Sequence, residues 1–541
     1  MFVPSRFYAL ALCALIFVAS AFLVPLYPWV LAVTLVALAL TLLGIWDLVQ
    51  TRHSIRRNYP LLAHFRFMLE YIRPEIRQYF IESDQDANPF SRNQRSIVYQ
   101  RAKRQLDKRP FGTTQDVYAA GFEWINHSIS PTRVTSSDYR VAIGLTEDGE
   151  PKPGVTKPYH ASIFNISAMS FGALSANAIR ALNEGARRGG FAHDTGEGSI
   201  SQYHREMGGD LIWEIGSGYF GCRSPNGEFN EDQFIKNAQE PQVKMIEVKL
   251  SQGAKPGHGG VLPGAKVSIE IAHARGVAVG KDCISPALHG AFSTPIGLLE
   301  FLDRLRRASG GKPVGFKLCI GHPWEFFAIG KAMVETGLTP DFIVVDGKEG
   351  GTGAAPVEFT DHVGTPLQEG LQLVHNTLVG LNLRDKIRIG ASGKIITAFD
   401  IARTMALGAD WCNAARGFMF AVGCIQSQTC HTDQCPTGVA TQDPLRQRAL
   451  VVPDKAERVF QFHHQTLAAL AELVAAAGLE HPDQITPDHI VRRVSQNEVR
   501  LLSTLSHYIT PGSLLEGRFE QAVFQRYWPL ARSDRFAATT Q

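Results

Sequence analysis

Between about residues 160 and 420, short apolar runs alternate with stretches of helical periodicity, and no other feature restricts the fold as much. The candidate strands are residues 162–170 (SIFNISAMS), 190–196 (GFAHDTG), 211–218 (LIWEIGSG), 245–251 (MIEVKLS), 314–320 (VGFKLCI), 342–347 (FIVVDG), 387–392 (IRIGAS) and 411–416 (WCNAAR). Helical patterns at 173–188, 295–309, 323–337 and 397–408 separate some of them. Apolar strands joined by helices pair in parallel and bury both faces. Eight of them predict an α/β fold of the (β/α)8 TIM-barrel type, with a doubly wound open sheet as the alternative. The glycine-rich tails after the strands favour the barrel, because barrel enzymes build their sites from those loops.

The remaining segments divide around this core. Residues 7–23 and 29–48 are almost uncharged and flank VPLYP. Each is close to the roughly 17–25 residues needed to cross a bilayer, and Pro25 and Pro28 break a continuous helix between them. Arg6 precedes the pair, and Arg52, Arg56 and Arg57 follow it. The positive-inside rule then predicts a transmembrane hairpin over 1–50 in the cytoplasmic (inner) membrane, with the bulk of the protein facing the cytoplasm. A signal peptide cleaved at Ala19-Ser20-Ala21 is the alternative, which a second span directly behind it disfavours. Residues 51–158 read as a helical and connecting region, 159–445 as the barrel, and 446–541 as a helical extension carrying FQFHHQTLAALAELVAAAGL at 460–479. A net charge of +3 is too small to imply nucleic acid as a partner.

Three cysteines lie on one short stretch after the last strand. Cys424, Cys430 and Cys435 are spaced C-x5-C-x4-C, and Pro436 follows. Thiolates spaced this way can converge on a soft metal centre, and Cys-Pro closes bacterial ferredoxin motifs. Three ligands suit a three-iron cluster better than a four-iron one, so residues 423–436 are a candidate iron–sulfur loop. The other five cysteines lie in apolar or glycine-rich sequence, and a disulfide framework does not suit a chain this long.

Two late loops are candidates for holding a phosphate. Gly390-Ala391-Ser392-Gly393-Lys394 follows the seventh strand, and Ala414-Ala415-Arg416-Gly417 follows the eighth. Barrels often bind phosphate there, with Lys394 or Arg416 adding charge. Two tight turns are an equal reading of the loops alone. Gly216 to Gly221 matches G-x-G-x-x-G, but Pro225, Asn226 and Gly227 follow where a dinucleotide site needs a helix, so no nicotinamide site is expected.

Taken together, Met169-Ser170-Phe171-Gly172-Ala173-Leu174-Ser175, IEVKLSQGAKPGHGGVLPGAKV (246–267), Gly350 to Pro356 and CHTDQCPTGVATQDP (430–444) resemble the FMN-binding central domain of the glutamate synthase family. The resemblance covers about residues 160–450, in order. It implies FMN and a [3Fe–4S] cluster as cofactors, with Cys424, Cys430 and Cys435 as the cluster ligands. It implies that Lys317 lies beside the flavin ring, and that Met169, Ser170, Gly351, Ser392, Gly393, Ala415 and Arg416 contact the cofactor. Gln252, Lys255 and Arg275 match positions that hold 2-oxoglutarate, while Glu197 and Lys255 are the implied catalytic pair. Fixed cations suit a dianion, and a carboxyl group suits proton transfer during imine formation.

Departures accompany the match. No glutaminase-type N-terminal Cys is present and no glycine-rich β-helix follows, so ammonia, another amine or a separate glutaminase must serve. Tyr219, His258 and Lys394 each replace a residue usual in the family. The expected activity is reduction, by reduced FMN, of the imine of 2-oxoglutarate and ammonia to L-glutamate. The alternatives are another amine or 2-oxo acid with the same cofactors, or a non-catalytic electron-relay subunit at the membrane. The electron donor is open between ferredoxin, a flavoprotein subunit and a membrane carrier.

Overall fold

The computed structural model describes residues 4–86 and 88–539. The chain forms two compact units, Met1–Arg92 and Asn93–Gln541.

The first unit is built on two apolar helices, α1 (Tyr8–Leu23) and α2 (Val30–Val49). Gly44 lets them pack closely, since a Cβ there would lie 2.5 Å from Leu10 Cδ1. Thr34 Oγ1 donates to Ser20 Oγ across the pair at 3.0 Å, so the helices run antiparallel as the hairpin reading requires. Both helices are long and apolar enough to cross a bilayer, and Leu15, Phe22, Leu35 and Trp46 are among the large apolar side chains exposed along them. Near the end of α2, Asp47 is fully buried. It faces His64 Nε2 at 2.9 Å and accepts the Leu61 N–H at 3.0 Å.

The second unit is organised by eight strands: β1 (Phe164–Ile166), β2 (His193–Asp194), β3 (Leu211–Ile215), β4 (Val243–Lys249), β5 (Val314–Leu318), β6 (Phe342–Asp346), β7 (Arg388–Ser392) and β8 (Trp411–Ala414). Every neighbouring pair is parallel, and β8 closes on β1 through Cys412, Asn413 and Ala414 opposite Phe164, Asn165 and Ile166. Each strand falls inside or against a run that the sequence marks, and closure excludes the open sheet. The helices include α3 (Ala176–Gly189), α4 (Pro295–Ala308), α5 (Pro323–Thr336), α6 (Leu367–Gly380), α7 (Ala398–Ala406), α8 (Arg416–Val422) and α9 (Val452–Ala476). Their starts follow local chemistry. Ser175 accepts the Ala178 N–H, Thr294 accepts the Gly297 N–H just before Pro295, and Thr397 and Asp400 cap each other's backbone.

The extension beyond the barrel begins as the helical pattern suggests. Helix α9 lies on α3, where Gly185 admits Val459. Further on the extension turns to strand. Ile490–Ser495 pairs antiparallel with Glu498–Leu501 and with Glu123–Ile125. Glu123 fixes this small sheet to the barrel by taking Arg492 Nε at 2.7 Å and Arg403 at 3.2 Å.

Candidate active site at the barrel mouth

The sequence-derived site residues gather at the C-terminal ends of the strands. Met169 and Ser170 follow β1, Glu197 follows β2, and Gln252 and Lys255 follow β4. Lys317 lies in β5, Gly351 follows β6, Ser392 ends β7, and Ala415 and Arg416 link β8 to α8. The loops after β1 and β2 touch at Gly196. Its φ of +63° and a would-be Cβ 2.7 Å from Ser170 N leave room for glycine alone.

Glu197 is the focus of the mouth. Lys249 Nζ stands 2.8 Å from its Oε2, and Ser285 Oγ donates to the same oxygen at 3.4 Å. Glycines wall the carboxylate: a methyl group on Gly260 would lie 2.1 Å from Oε1, and one on Gly216 would lie 2.8 Å from Oε2. Burial alone would raise this carboxyl, but Lys249, then Arg275 and Lys255, outweigh burial and hold it below the ordinary carboxylate value. Lys255 is itself buried and donates to Ala354 O at 3.1 Å. Burial pulls its ammonium below the usual lysine value, against the attraction of Glu197. Gln252 opens the same turn, its carbonyl accepting the Lys255 N–H. The turn is pinned where the Gly253 N–H donates to Asp346 Oδ2 at 2.8 Å, so close to β6 that a Cβ on Gly253 would lie 1.7 Å from Gly347 O. Arg275 donates to Ser170 Oγ and Phe171 O and lies over the Phe220 ring, while its buried Nε has no hydrogen-bond partner.

Behind Glu197 the barrel interior is ionic. Lys317 Nζ contacts Glu214 and lies 3.2 Å from Glu247 Oε1. Oxygens of Asp194, Glu214 and Glu247 lie within 4.8 Å of one another. At that spacing each like-charged pair costs roughly 3.5 kcal/mol at an effective dielectric of about 20. Burial, then Glu247, raises the Asp194 carboxyl well above its usual value. Glu247 is pushed up to about 7, by burial first and then by Glu214 and Asp346, against Lys317. Burial disfavours the Lys317 ammonium, yet the surrounding carboxylates outweigh it and hold the proton firmly. Lys249 and these three carboxylates were not singled out from the sequence. The signal was present in 245–251, where Glu247 and Lys249 are spaced two apart in a strand otherwise apolar.

The loops after β7 and β8 bring two cations together. Lys394 adopts φ +51°, the left-handed conformation that glycine accepts most readily. Burial, then Arg416, lowers its ammonium. Arg416 donates to Glu349 O, and burial draws it down to about 10 against Asp346 and Glu349. Gly351 lies flat against this guanidinium, a Cβ there reaching 3.1 Å from Arg416 Cζ. Two crowded, desolvated cations beside a glycine suit a phosphate. Ser392 Oγ is committed to Asp346 at 2.6 Å, and Gly393 follows it.

The cysteine loop lies beside this mouth. Cys430 Cβ is 4.0 Å from the position a methyl group on Gly353 would take. The Gln426 N–H points at Cys424 Sγ at 3.4 Å, from left-handed backbone. Burial opposes the Cys435 thiolate, but the Thr437 hydroxyl and the N–H groups of Ala440, Thr437 and Val439 hold its pKa below the usual value. Burial raises Cys424 to about 12 and, with Cys435, raises Cys430. Among the described residues, the only ligand trio within 4.8 Å is the interior carboxylate set. The three cysteine sulfurs are therefore not all within 4.8 Å of one another. Lys266 supports the loop by donating to Cys430 O at 2.8 Å and Ala440 O at 3.2 Å. Gln442 Nε2 bonds Gly172 O and Leu174 O, joining the loop to the segment after β1.

Comparison with known proteins identifies the family. Residues 132–480 match the model of the conserved region in glutamate synthase. The glutamate synthase large subunit-like protein YerD of Bacillus subtilis is 38% identical over 495 residues, covering 85% of this chain and 94% of YerD. The archaeal glutamate synthase [NADPH] of Methanocaldococcus jannaschii is 35% identical over 338 residues, covering 62% of this chain and 63% of that protein. The glutamate synthase [NADPH] large chain of B. subtilis is 34% identical over 329 residues, which are 60% of this chain and 20% of that one. The family model spans the barrel, the cysteine loop and α9. The chain belongs to the glutamate synthase family.

Proposed function

We propose that the chain is a membrane-anchored oxidoreductase that converts 2-oxoglutarate and ammonia to L-glutamate. The observation that carries this reading is the Glu197 carboxylate at the mouth, held charged by Lys249, Arg275 and Lys255. FMN and a [3Fe–4S] cluster, when bound, supply the hydride and the single-electron traffic that reloads it. Arg416 and Lys394 would hold the FMN phosphate beside Gly351 and the Ser392–Gly393 and Ala415 backbone, with Met169, Ser170 and Lys317 toward its ring. Cys424, Cys430 and Cys435 would hold the cluster.

Lys255, Gln252 and Arg275 bind and orient the dianion, and the walls at Gly216 and Gly260 fix the Glu197 oxygens against it. Glu197 moves the proton between the attacking nitrogen and the departing water. Ammonia comes free or from a separate glutaminase, and electrons from ferredoxin, a flavoprotein subunit or a membrane carrier. Helices α1 and α2 anchor the chain in the cytoplasmic membrane, with the barrel on the cytoplasmic side.

The test is reoxidation of dithionite-reduced, flavin-loaded protein. 2-Oxoglutarate with ammonium should reoxidise the flavin, and methylamine should not. Reoxidation by methylamine or by another oxo acid supports a second reading, in which the cofactors are kept and the substrate differs. Failure with every amine leaves only an electron-relay role.

A further inference from the structure

The reaction at the mouth gives no direct role to Asp194, Glu214 or Glu247, yet with Lys249 and Lys317 they lead in a run of charges to Glu197. It begins at Glu197, whose side chain keeps 16% of its surface exposed. Lys249 Nζ lies 2.8 Å from Glu197 Oε2 and 3.9 Å from Glu214 Oε1. Lys317 contacts the other oxygen of Glu214 and lies 3.2 Å from Glu247. Asp194 completes the trio of carboxylates within 4.8 Å. Behind Glu197 no member of the run exposes more than 9% of its side chain, so the solvent-facing end is Glu197.

The charge count inside is unequal. Three carboxylates face Lys317, and Lys249 is shared with Glu197. Asp346 adds a further negative charge from the end of β6, where it holds Gly253 N–H and Ser392 Oγ. Arg275, Lys255 and Arg416 stand on the mouth side of the run. Close, buried carboxylates with too few counter-charges retain a proton. Glu247 agrees with this, since it pairs with Lys317 but neither of its oxygens makes an aligned hydrogen bond. A trio of this kind can also hold a metal ion, but here the Lys317 ammonium already supplies the cation.

We infer that this run is a proton store and relay, in which a proton kept between Asp194 and Glu247 reaches Glu197 by way of Glu214 and Lys249. In the step, Lys249 gives one N–H proton to the Glu197 carboxylate and, swinging across the 3.9 Å that separates it from Glu214, takes one that Glu214 passes on. Glu214 is refilled from Glu247 or Asp194 beside Lys317. One proton moves from the trio to Glu197, no electron moves, and no carbon bond breaks. The destination rests on the proposed function: 2-oxoglutarate, ammonium, two electrons and two protons become L-glutamate and water, and one of those protons does not travel with the hydride. The storage rests on the geometry alone.

Infrared spectra of the full-length, flavin-loaded protein in detergent test both parts, because a protonated carboxyl has its own C=O stretch. The oxidised wild type at neutral pH should show such a band, fading as pH rises. Asp194→Asn and Glu247→Gln should each weaken or abolish it, and if one of them fails to fold the other decides. Lys249→Met should keep it, beside any separate band from Glu197 once its partner is gone. In a single turnover of reduced wild type with 2-oxoglutarate and ammonium the band should bleach transiently, whereas in Lys249→Met it should persist. A wild type without the band, or carboxamide variants that keep it in full, overturns the store. Bleaching in Lys249→Met at the wild-type rate overturns the relay. A wild-type flavin that ammonium and 2-oxoglutarate fail to reoxidise overturns the proposed function and the relay's destination, while the pH titration still decides the store.

Discussion

Glu197 is charged because Lys249 is beside it. Its carboxyl sits below the ordinary value, so the pair contributes stability that is fully present above the unfolded carboxylate pKa. That contribution is lost as pH falls through the depressed folded value. Lys249→Met leaves a buried carboxylate without its main partner, a change that costs about 3–5 kcal/mol at neutral pH. Thermal unfolding from pH 7 down to pH 3 checks the sign: the gap between variant and wild type should be widest at pH 7 and should narrow in acid. The glycines around the site separate folding from chemistry. Gly253→Ala drives a methyl group into the Gly347 carbonyl, and because backbone cannot swing aside the variant should lose about 1–3 kcal/mol or more of stability. A methyl group on Gly260 meets the Glu197 side chain first, which can rotate but only by giving up its contact with Lys249. That variant should lose no more stability than Lys249→Met and stay yellow, yet fail to reoxidise its flavin with 2-oxoglutarate and ammonium. At this scale the mouth was legible and the interior was not. Glu197, Lys255 and Arg275 stand in distinctive glycine-rich motifs, whereas Glu214 and Glu247 sit in strands whose apolar neighbours dominate the pattern.

The cysteine loop is an element held from outside. Lys266, from the segment after β4, bonds two of its carbonyls while buried. Lys266→Met removes charge-assisted hydrogen bonds worth about 2 kcal/mol. Iron and sulfide content should fall while flavin content holds, as read by metal analysis against the visible spectrum; equal loss of both would mean that the lysine supports the whole mouth. A second element-level contact is the α3–α9 packing. A Cβ on Gly185 would lie 2.5 Å from Val459 Cγ1 and 2.8 Å from Ala456 O, so Gly185→Ala should lower stability by about 1–3 kcal/mol with the cofactors unchanged. The barrel strands could be read in advance because most are short apolar runs ending near glycine or small residues, whereas β2 is only His193–Asp194 and is marked by its glycine-rich flanks. Helix α6 escaped notice because Pro366 replaces a side-chain cap and Gly370 and Gly380 blur its apolar stripe. The late strands Ile490–Ser495 and Glu498–Leu501 escaped because Arg492, Arg493, Glu498 and Arg500 make them look like solvated loop. Their partner strand at Glu123–Ile125 lies far away in sequence, and no local pattern announces such a pairing.

For the whole molecule, the apolar hairpin sets the physical state. Two helices with exposed Leu, Val, Phe and Trp along their length place an apolar surface in water unless lipid covers it. The full chain should sediment with membranes and need detergent for release. A variant lacking residues 4–50 should remain in the soluble fraction with its flavin bound, because Asn93–Gln541 forms a compact unit of its own. Recovery of the full chain in the high-speed supernatant without detergent would contradict the anchor.

Pairing β8 with β1 has a consequence for how the protein is made. The ring of strands cannot shut until Trp411–Ala414 has left the ribosome to meet Phe164–Ile166, a wait of some 245 residues and about 12–50 s of synthesis. Glu214, Glu247, Lys249 and Lys317 emerge in turn during that interval, and the full cost of desolvating them falls only when the last staves close. Carboxylates and ammoniums on the unfinished staves repel stray β-partners, so the same charges guard the nascent chain from aggregation before they serve the finished one.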